Sequence, residues 1–188
     1  MASYELFKTS IEAAEGGFQL LKNDKGNYNS RKELVGTNHG VSAKFYERVI
    51  GRPPSVEDMK SLTKAESHIL FKNEFWDKVR ADEIQSQGVA EIIADHAINA
   101  NPRVTAKIVQ RTLNNYFGKS LAVDGAIGSQ TLQAINSVDD KLLFEKIADG
   151  RLAYYKSLSD YRYFAKSWTS RVYELARKFG IEIKKKEM

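Results

Sequence analysis

The stretch Tyr4-Glu5-Leu6-Phe7-Lys8-Thr9-Ser10-Ile11-Glu12-Ala13-Ala14-Glu15-Gly16-Gly17 opens the chain. Tyr4, Phe7, Ile11 and Ala14 recur at helical spacing and fall within about 80° of one another at roughly 100° per residue. The stretch therefore predicts an amphipathic helix. Gly16-Gly17 should close it, because glycine reaches the left-handed conformation that ends helices. Glu15 lies about 40° beyond Ile11, on the shoulder of the buried stripe. Glu5 and Glu12 sit further round and should face water.

A carboxylate in the last turn of a helix meets the negative end of the backbone dipole and is partly desolvated. Both effects favour the protonated form and should raise its pKa. A carboxylic acid that keeps its proton near neutrality is suited to general-acid work on a departing oxygen. The glycines that follow carry no side chains, so a bulky substrate can approach the backbone. The same residues also fit a glutamate that simply ends a helix, and periodicity alone leaves both readings open.

Outward from this helix, residues 22–39 are rich in Asn, Asp, Gly and Ser and predict a long loop or a short irregular β-like excursion. Loops of that length inside a compact domain are usually functional. Residues 41–50 predict a helix stopped by Gly51 and Pro53-Pro54. Ser55 with Asp58, then Thr63 with Glu66, are capping-box spacings that start two more helices. The second of these runs through Ile69, Leu70 and Phe71 towards Trp76. Further helices are expected at 89–100, 104–116, 129–135, 141–158 and 163–179, with a glycine-punctuated turn region at 119–128. The predicted class is mainly α.

Composition narrows the rest. The 188 residues contain no cysteine, which excludes a disulfide framework, a thiol nucleophile and thiolate metal sites. His39, His68 and His96 have no metal-ligand spacing, so neither metal nor cofactor is implied. His96 falls on the apolar face of its helix and reads as a hydrogen-bonded core histidine. No apolar run approaches the ~20 residues of a membrane helix. The N-terminus lacks the basic start and apolar stretch of a cleavable signal, so synthesis as a soluble cytoplasmic chain is expected. Of the net charge of +5, the residues after Gly150 carry ten Lys and Arg against four acids. That end favours an anionic polymer, or is a solvated helix face with a lysine tail. A basic helical nucleic-acid binder is suggested by charge alone, and no nucleic-acid partner is expected.

Glu15-Gly16-Gly17, Asn23-Asp24, and Gly36-Thr37-Asn38-His39-Gly40-Val41-Ser42 together resemble glycoside hydrolase family 108. So do Phe75-Trp76-Asp77 with Val79-Arg80, and Ala94-Asp95-His96-Ala97-Ile98-Asn99. The family contains N-acetylmuramidases, many of phage-lysin type, and some members carry the label "secretion activator protein". The resemblance implies a lysozyme-like helical fold, peptidoglycan as substrate, and Glu15 as the acid that cleaves the β-1,4 bond from N-acetylmuramic acid to N-acetylglucosamine. Three positions depart from the pattern: Val35 replaces a glycine, His96 an aromatic residue, and Asn101 a common glycine.

The candidate substrate-contacting residues are Asp24, Thr37, His39, Trp76, Asp95 and Asn99. Asp24 or Asp95 could supply a second carboxylate, although Asp95 equally suits a buried bond to a neighbouring helix end. Thr37 could orient a water, or satisfy its own turn. Trp76 and Trp168 suit either packing or binding.

Gln110, Leu113, Val123-Asp124-Gly125, Ile127-Gly128, Thr131 and Leu132 resemble the peptidoglycan-binding region that follows such catalytic segments. Phe164 to Trp168 and Arg171-Val172 resemble its ending. Asp124-Gly125 and Gly128 also read as a turn leading into a helix. The expected organisation is a catalytic region at 1–103 and a helical peptidoglycan-binding-like region at 104–188, packed as one unit. Such an enzyme would reach the wall by holin-type release, export or lysis. The alternative is a non-catalytic peptidoglycan-binding or secretion-associated module on the same fold.

Overall fold

The computed structural model describes residues 1–14 and 16–183. Glu15 and the Lys184-Lys185-Lys186 run lie outside the described residues. Among those described, the chain is mainly α, with helices α1 (Tyr4–Ala14), α2 (Ala43–Ile50), α3 (Val56–Ser61), α4 (Lys64–Phe71) and α5 (Gln87–Asn99). Then follow α6 (Pro102–Phe117), α7 (Ser129–Asn136), α8 (Asp140–Lys156) and α9 (Tyr161–Lys178). One small antiparallel hairpin pairs β1 (Thr37–Asn38) with β2 (Val41–Ser42). The chain divides into two compact units, Glu5–Lys72, and Met1–Tyr4 together with the chain from Asn73 onward.

In α1, Tyr4, Phe7 and Ile11 are all buried while Leu6 on another face is 58% exposed, as the periodicity predicts. Within the Glu5–Lys72 unit, local signals set the helix ends. Ser42 accepts a bond from the Phe45 N–H to cap α2, and Gly51 closes the same helix in the left-handed conformation. Both expected capping boxes form, Ser55 with Asp58 at α3 and Thr63 with Glu66 at α4. Val41-Ser42, read as the start of a helix, is instead a strand, because it pairs with Thr37-Asn38 before the helix begins. Val35 packs with Ala43 and Met59 in the small core of this unit, against Phe18, Tyr46 and Val56. A glycine there would forfeit that contact.

The unit that begins at Asn73 is built around α5. Every residue of α5 from Gly88 to Ala97 is buried, because α6, α8 and α9 all pack against it. A helix covered on all sides must pair whatever polar groups it carries. Here Glu91 meets Lys178 at 2.7 Å, and Asp95 meets Arg151 at 2.6 Å and also Arg171. The α5–α6 packing runs across residue 103.

Asn101, between α5 and α6, holds φ 135 and ψ 159, a backbone region that is essentially reserved for glycine. Its side chain accepts a bond from the Val104 N–H and so caps α6, with Pro102 in the first turn. Glycine would relieve the strain and lose only a few tenths of a kcal/mol of capping. Asn101→Gly is therefore expected to stabilise the protein by about 1 kcal/mol. Urea unfolding reads this directly, and a lower midpoint would mean that the cap outweighs the strain.

Candidate functional site

The polar segment after α1 is an ordered excursion held by asparagines. Asn27 is fully buried. Its carbonyl accepts the N–H groups of Val35 and Gly36 at 2.9 and 3.0 Å, and its side-chain N–H donates to Leu21 O at 2.9 Å. Asn38 is also buried and donates to the carbonyls of Met59 and Leu62 at the end of α3. These groups replace water for backbone that the loop would otherwise bury unpaired. Gly36 is required at φ 99, since a Cβ there would lie 2.6 Å from Gln19 O. The density of asparagine in residues 22–39 was the available sign that this loop is built from the inside.

Three candidates sit on this excursion. Asp24 is exposed and caps the short 3-10 turn Lys25–Asn27, its Oδ1 accepting from Gly26 N at 2.8 Å. Thr37 is half-buried on β1, its backbone bonded to Gln19 in both directions and its hydroxyl donating to Asn27 Oδ1. Because the hydroxyl proton is spent on Asn27, Thr37 Oγ offers lone pairs to anything that approaches. His39 and Gly40 form the two-residue turn of the hairpin, with φ 45 and φ 74. Positive φ at both positions is the geometry that a tight, right-twisted hairpin demands. The His39 carbonyl accepts from Ser67 Oγ at 3.2 Å, which ties the turn to α4.

The remaining candidates belong to the other unit. Trp76 is fully buried, edge-on to Tyr4 at 5.7 Å, and its indole N–H donates to Asp82 at 2.6 Å. Asp95 is 3% exposed, and each of its oxygens is taken by an arginine. Neither residue offers an atom to a sugar in this conformation. Burial alone would raise the Asp95 pKa, but the charges of Arg171 and Arg151 hold it below the usual carboxylate range. Asn99 is exposed at the end of α5, bonded back to the Asp95 carbonyl at 3.2 Å. Arg151 was missed by the sequence reading, and Arg171 was singled out there without its tie to Asp95, since each lies far along the chain from the acid it serves.

His96 is fully buried, with Nδ1 2.9 Å from Thr105 Oγ1. The Thr105 hydroxyl donates to Asn101 O, so it accepts from His96 and assigns the proton to Nδ1. Burial, and next the Arg151 charge, push the His96 pKa from 6.5 down to about 3. The folded protein thus keeps His96 neutral where the unfolded chain would protonate it. Stability should fall as pH drops from about 6.5 towards about 3, by at most about 1.4 kcal/mol per pH unit. Urea midpoints across that window should fall less steeply in His96→Gln; an equal slope would assign the acid sensitivity elsewhere.

In the region 104–128, Gln110 ties the turn to α6. It donates to Asp124 at 2.7 Å and Ala126 O at 2.9 Å, and accepts from Gly125 N at 3.0 Å. These bonds are structural. Groups of acids and histidines suited to a metal ion are absent among the described residues. No helix among them is long and apolar enough to cross a membrane.

A mainly helical chain with a polar hairpin excursion after its first helix is the architecture of a lysozyme-like glycoside hydrolase. Residues 9–100 match the glycosyl hydrolase 108 family, and residues 104–173 match the family described as "Predicted Peptidoglycan domain". It is similar to the structure of Brucella abortus SagA, with 26% sequence identity, a TM-score of 0.81, and 97% of each chain covered. No curated protein sequence matches it significantly. At the level of the family, it is a glycoside hydrolase whose substrate is peptidoglycan.

Proposed function

We propose that the chain is an N-acetylmuramidase in which Glu15 is the general acid for cleavage between N-acetylmuramic acid and N-acetylglucosamine. The observation that carries this reading is the bare backbone beside that residue. Gly16 and Gly17 are exposed, and among the described residues nothing lies within 4 Å of where a Cβ would stand on either. A pyranose ring can therefore come against the backbone that follows Glu15 in the sequence.

In this reading, Glu15 donates its proton to the glycosidic oxygen as the bond to the muramyl C1 breaks, and N-acetylglucosamine leaves as the alcohol. Water then adds at C1 and gives up a proton as it does so, and the Glu15 carboxylate takes a proton back, which restores the acid. Thr37, with its hydroxyl proton committed to Asn27, would accept a hydrogen bond from such a water and aim it. Asp24 would supply negative charge at the developing cation, since Oδ2 has no bond among the described residues. His39 would contact the glycan, while Trp76 and Asp95 hold the packing of their own unit. Residues 1–103 would carry the chemistry and 104–188 would hold the polymer. The enzyme would act on the wall after release, export or lysis.

Turbidity and reducing-end release on purified peptidoglycan test the reading, with Glu15→Gln beside the parent. Lysis that disappears in a folded Glu15→Gln supports it. A parent that binds several wall chemotypes without releasing sugar would leave a binding or secretion-associated module.

A further inference from the structure

The apolar stripe of α9 is longer than the core it packs on. Val172, Leu175 and Ala176 are buried, whereas Phe164, on the same face two to three turns earlier, is 49% exposed. Phe164 is not loose on the surface. Its ring stacks on Trp168 at 5.4 Å and 25°, and Trp168 in turn lies 5.4 Å from the ring of buried Tyr155. Tyr155 is anchored from below by Arg151, which bonds its hydroxyl at 3.0 Å. The result is an aromatic platform rooted in the core and bare at its outer end. Rigid aromatic faces of this kind stack on the C–H faces of sugar rings at little entropic cost.

One turn along the same face stands Arg171, three residues after Trp168 and thus a lateral neighbour on the helix. Its Nε is held by Asp95, which fixes the plane of the guanidinium. The side chain remains 34% exposed, and its Nη nitrogens have no partner among the described residues. A guanidinium pinned at Nε with its outer nitrogens free is a ready fork for a carboxylate. Arg162, stacked over the exposed Tyr163 ring at 4.5 Å, adds positive charge to the same end of the helix. The occupant this pattern fits is a polymer of sugar rings carrying carboxylates.

We propose that the first half of α9 is a peptidoglycan-docking platform, with Phe164 and Trp168 stacking on sugar rings of the strand and Arg171 gripping a stem-peptide carboxylate. The proposal rests on the reading of the chain as a peptidoglycan hydrolase and assigns residues for holding the polymer rather than cutting it. The test uses the full chain carrying Glu15→Gln, mixed at low temperature with insoluble sacculi. Adding Phe164→Ala should lower retention about tenfold, the loss expected for one stacking contact. Arg171→Lys keeps the charge on Asp95 but removes the fork. It should abolish the preference for a soluble disaccharide-tetrapeptide over chitotetraose, which has no carboxylate. Trp76 is fully buried, so an emission change on adding the disaccharide-tetrapeptide reports Trp168.

Unchanged retention in Phe164→Ala would overturn the platform. So would a concentration-dependent dimer that Phe164→Ala dissolves, since a second copy would then cover the face. Platform and hydrolase fail separately. Sacculi bound through Phe164 but left uncut by the parent would remove the hydrolase alone; cutting with retention indifferent to both variants would remove the platform alone.

Discussion

Glu15→Gln is expected to lose about 100- to 10,000-fold in the rate of reducing-end release from peptidoglycan, the range carried by a positioned general acid. The substitution keeps shape and volume and removes only the transferable proton, so the carbohydrate should still bind. The loss should therefore fall on kcat, with KM little changed. The position follows a helix whose core contacts are made by Tyr4, Phe7 and Ile11. None of these is touched, so the unfolding midpoint should move by less than about 2 °C. Activity that survives in Glu15→Gln would sink the assignment of the acid. Equal loss of activity and of folding would assign the residue a structural role instead.

Asp95→Ala should cost about 3–5 kcal/mol of stability, because it strips the carboxylate from Arg151, which has no exposed surface. That arginine keeps its bonds to Ile92 O at 3.1 Å and to Tyr155 at 3.0 Å, but neither partner carries charge. Against the 5–15 kcal/mol of a typical domain, this is a large fraction. Urea unfolding measures it, and a loss below about 1 kcal/mol would show that water reaches the pair. Replacing the pair together, Asp95→Leu with Arg151→Met, should recover much of the loss, since an apolar pair removes the desolvation cost with the charge. The Asp95 pKa is depressed in the fold, so its contribution is present above the ordinary carboxylate range and disappears as pH falls through the folded value. Acid should therefore weaken Asp95 and His96 together.

The two substitutions differ in what made them visible. Glu15 stands out in the sequence because its helix, its shoulder position and the two glycines are all within a few residues of it. Asp95 stands out as an acid on an apolar helix, but its partners are 56 and 76 residues away, and no local pattern selects them. The same contrast separates the caps of α3 and α4, set by side chains three residues apart, from the hairpin at Thr37–Ser42. There, a helical reading of Val41-Ser42 gave way to pairing across a turn. The buried asparagines of the excursion, Asn27 and Asn38, look like ordinary loop residues until the backbone groups they satisfy are seen. Both tryptophans suited packing or binding in the sequence, where Trp76 was the candidate for the substrate, and packing reversed them: Trp76 is sealed around its indole N–H, and Trp168 supports an exposed stack.

The sequence by itself determined the helices, most of their ends and the mainly α class, and it carried the family resemblance from which the proposed glutamate comes. Each depends on periodicity, capping or short spacing, which act over one or two turns of chain. Only the tertiary structure decided which polar residues are spent on holding the fold and which stay free to meet a ligand. That division depends on burial, and burial is set by residues distant in sequence that arrive together only when the chain has folded.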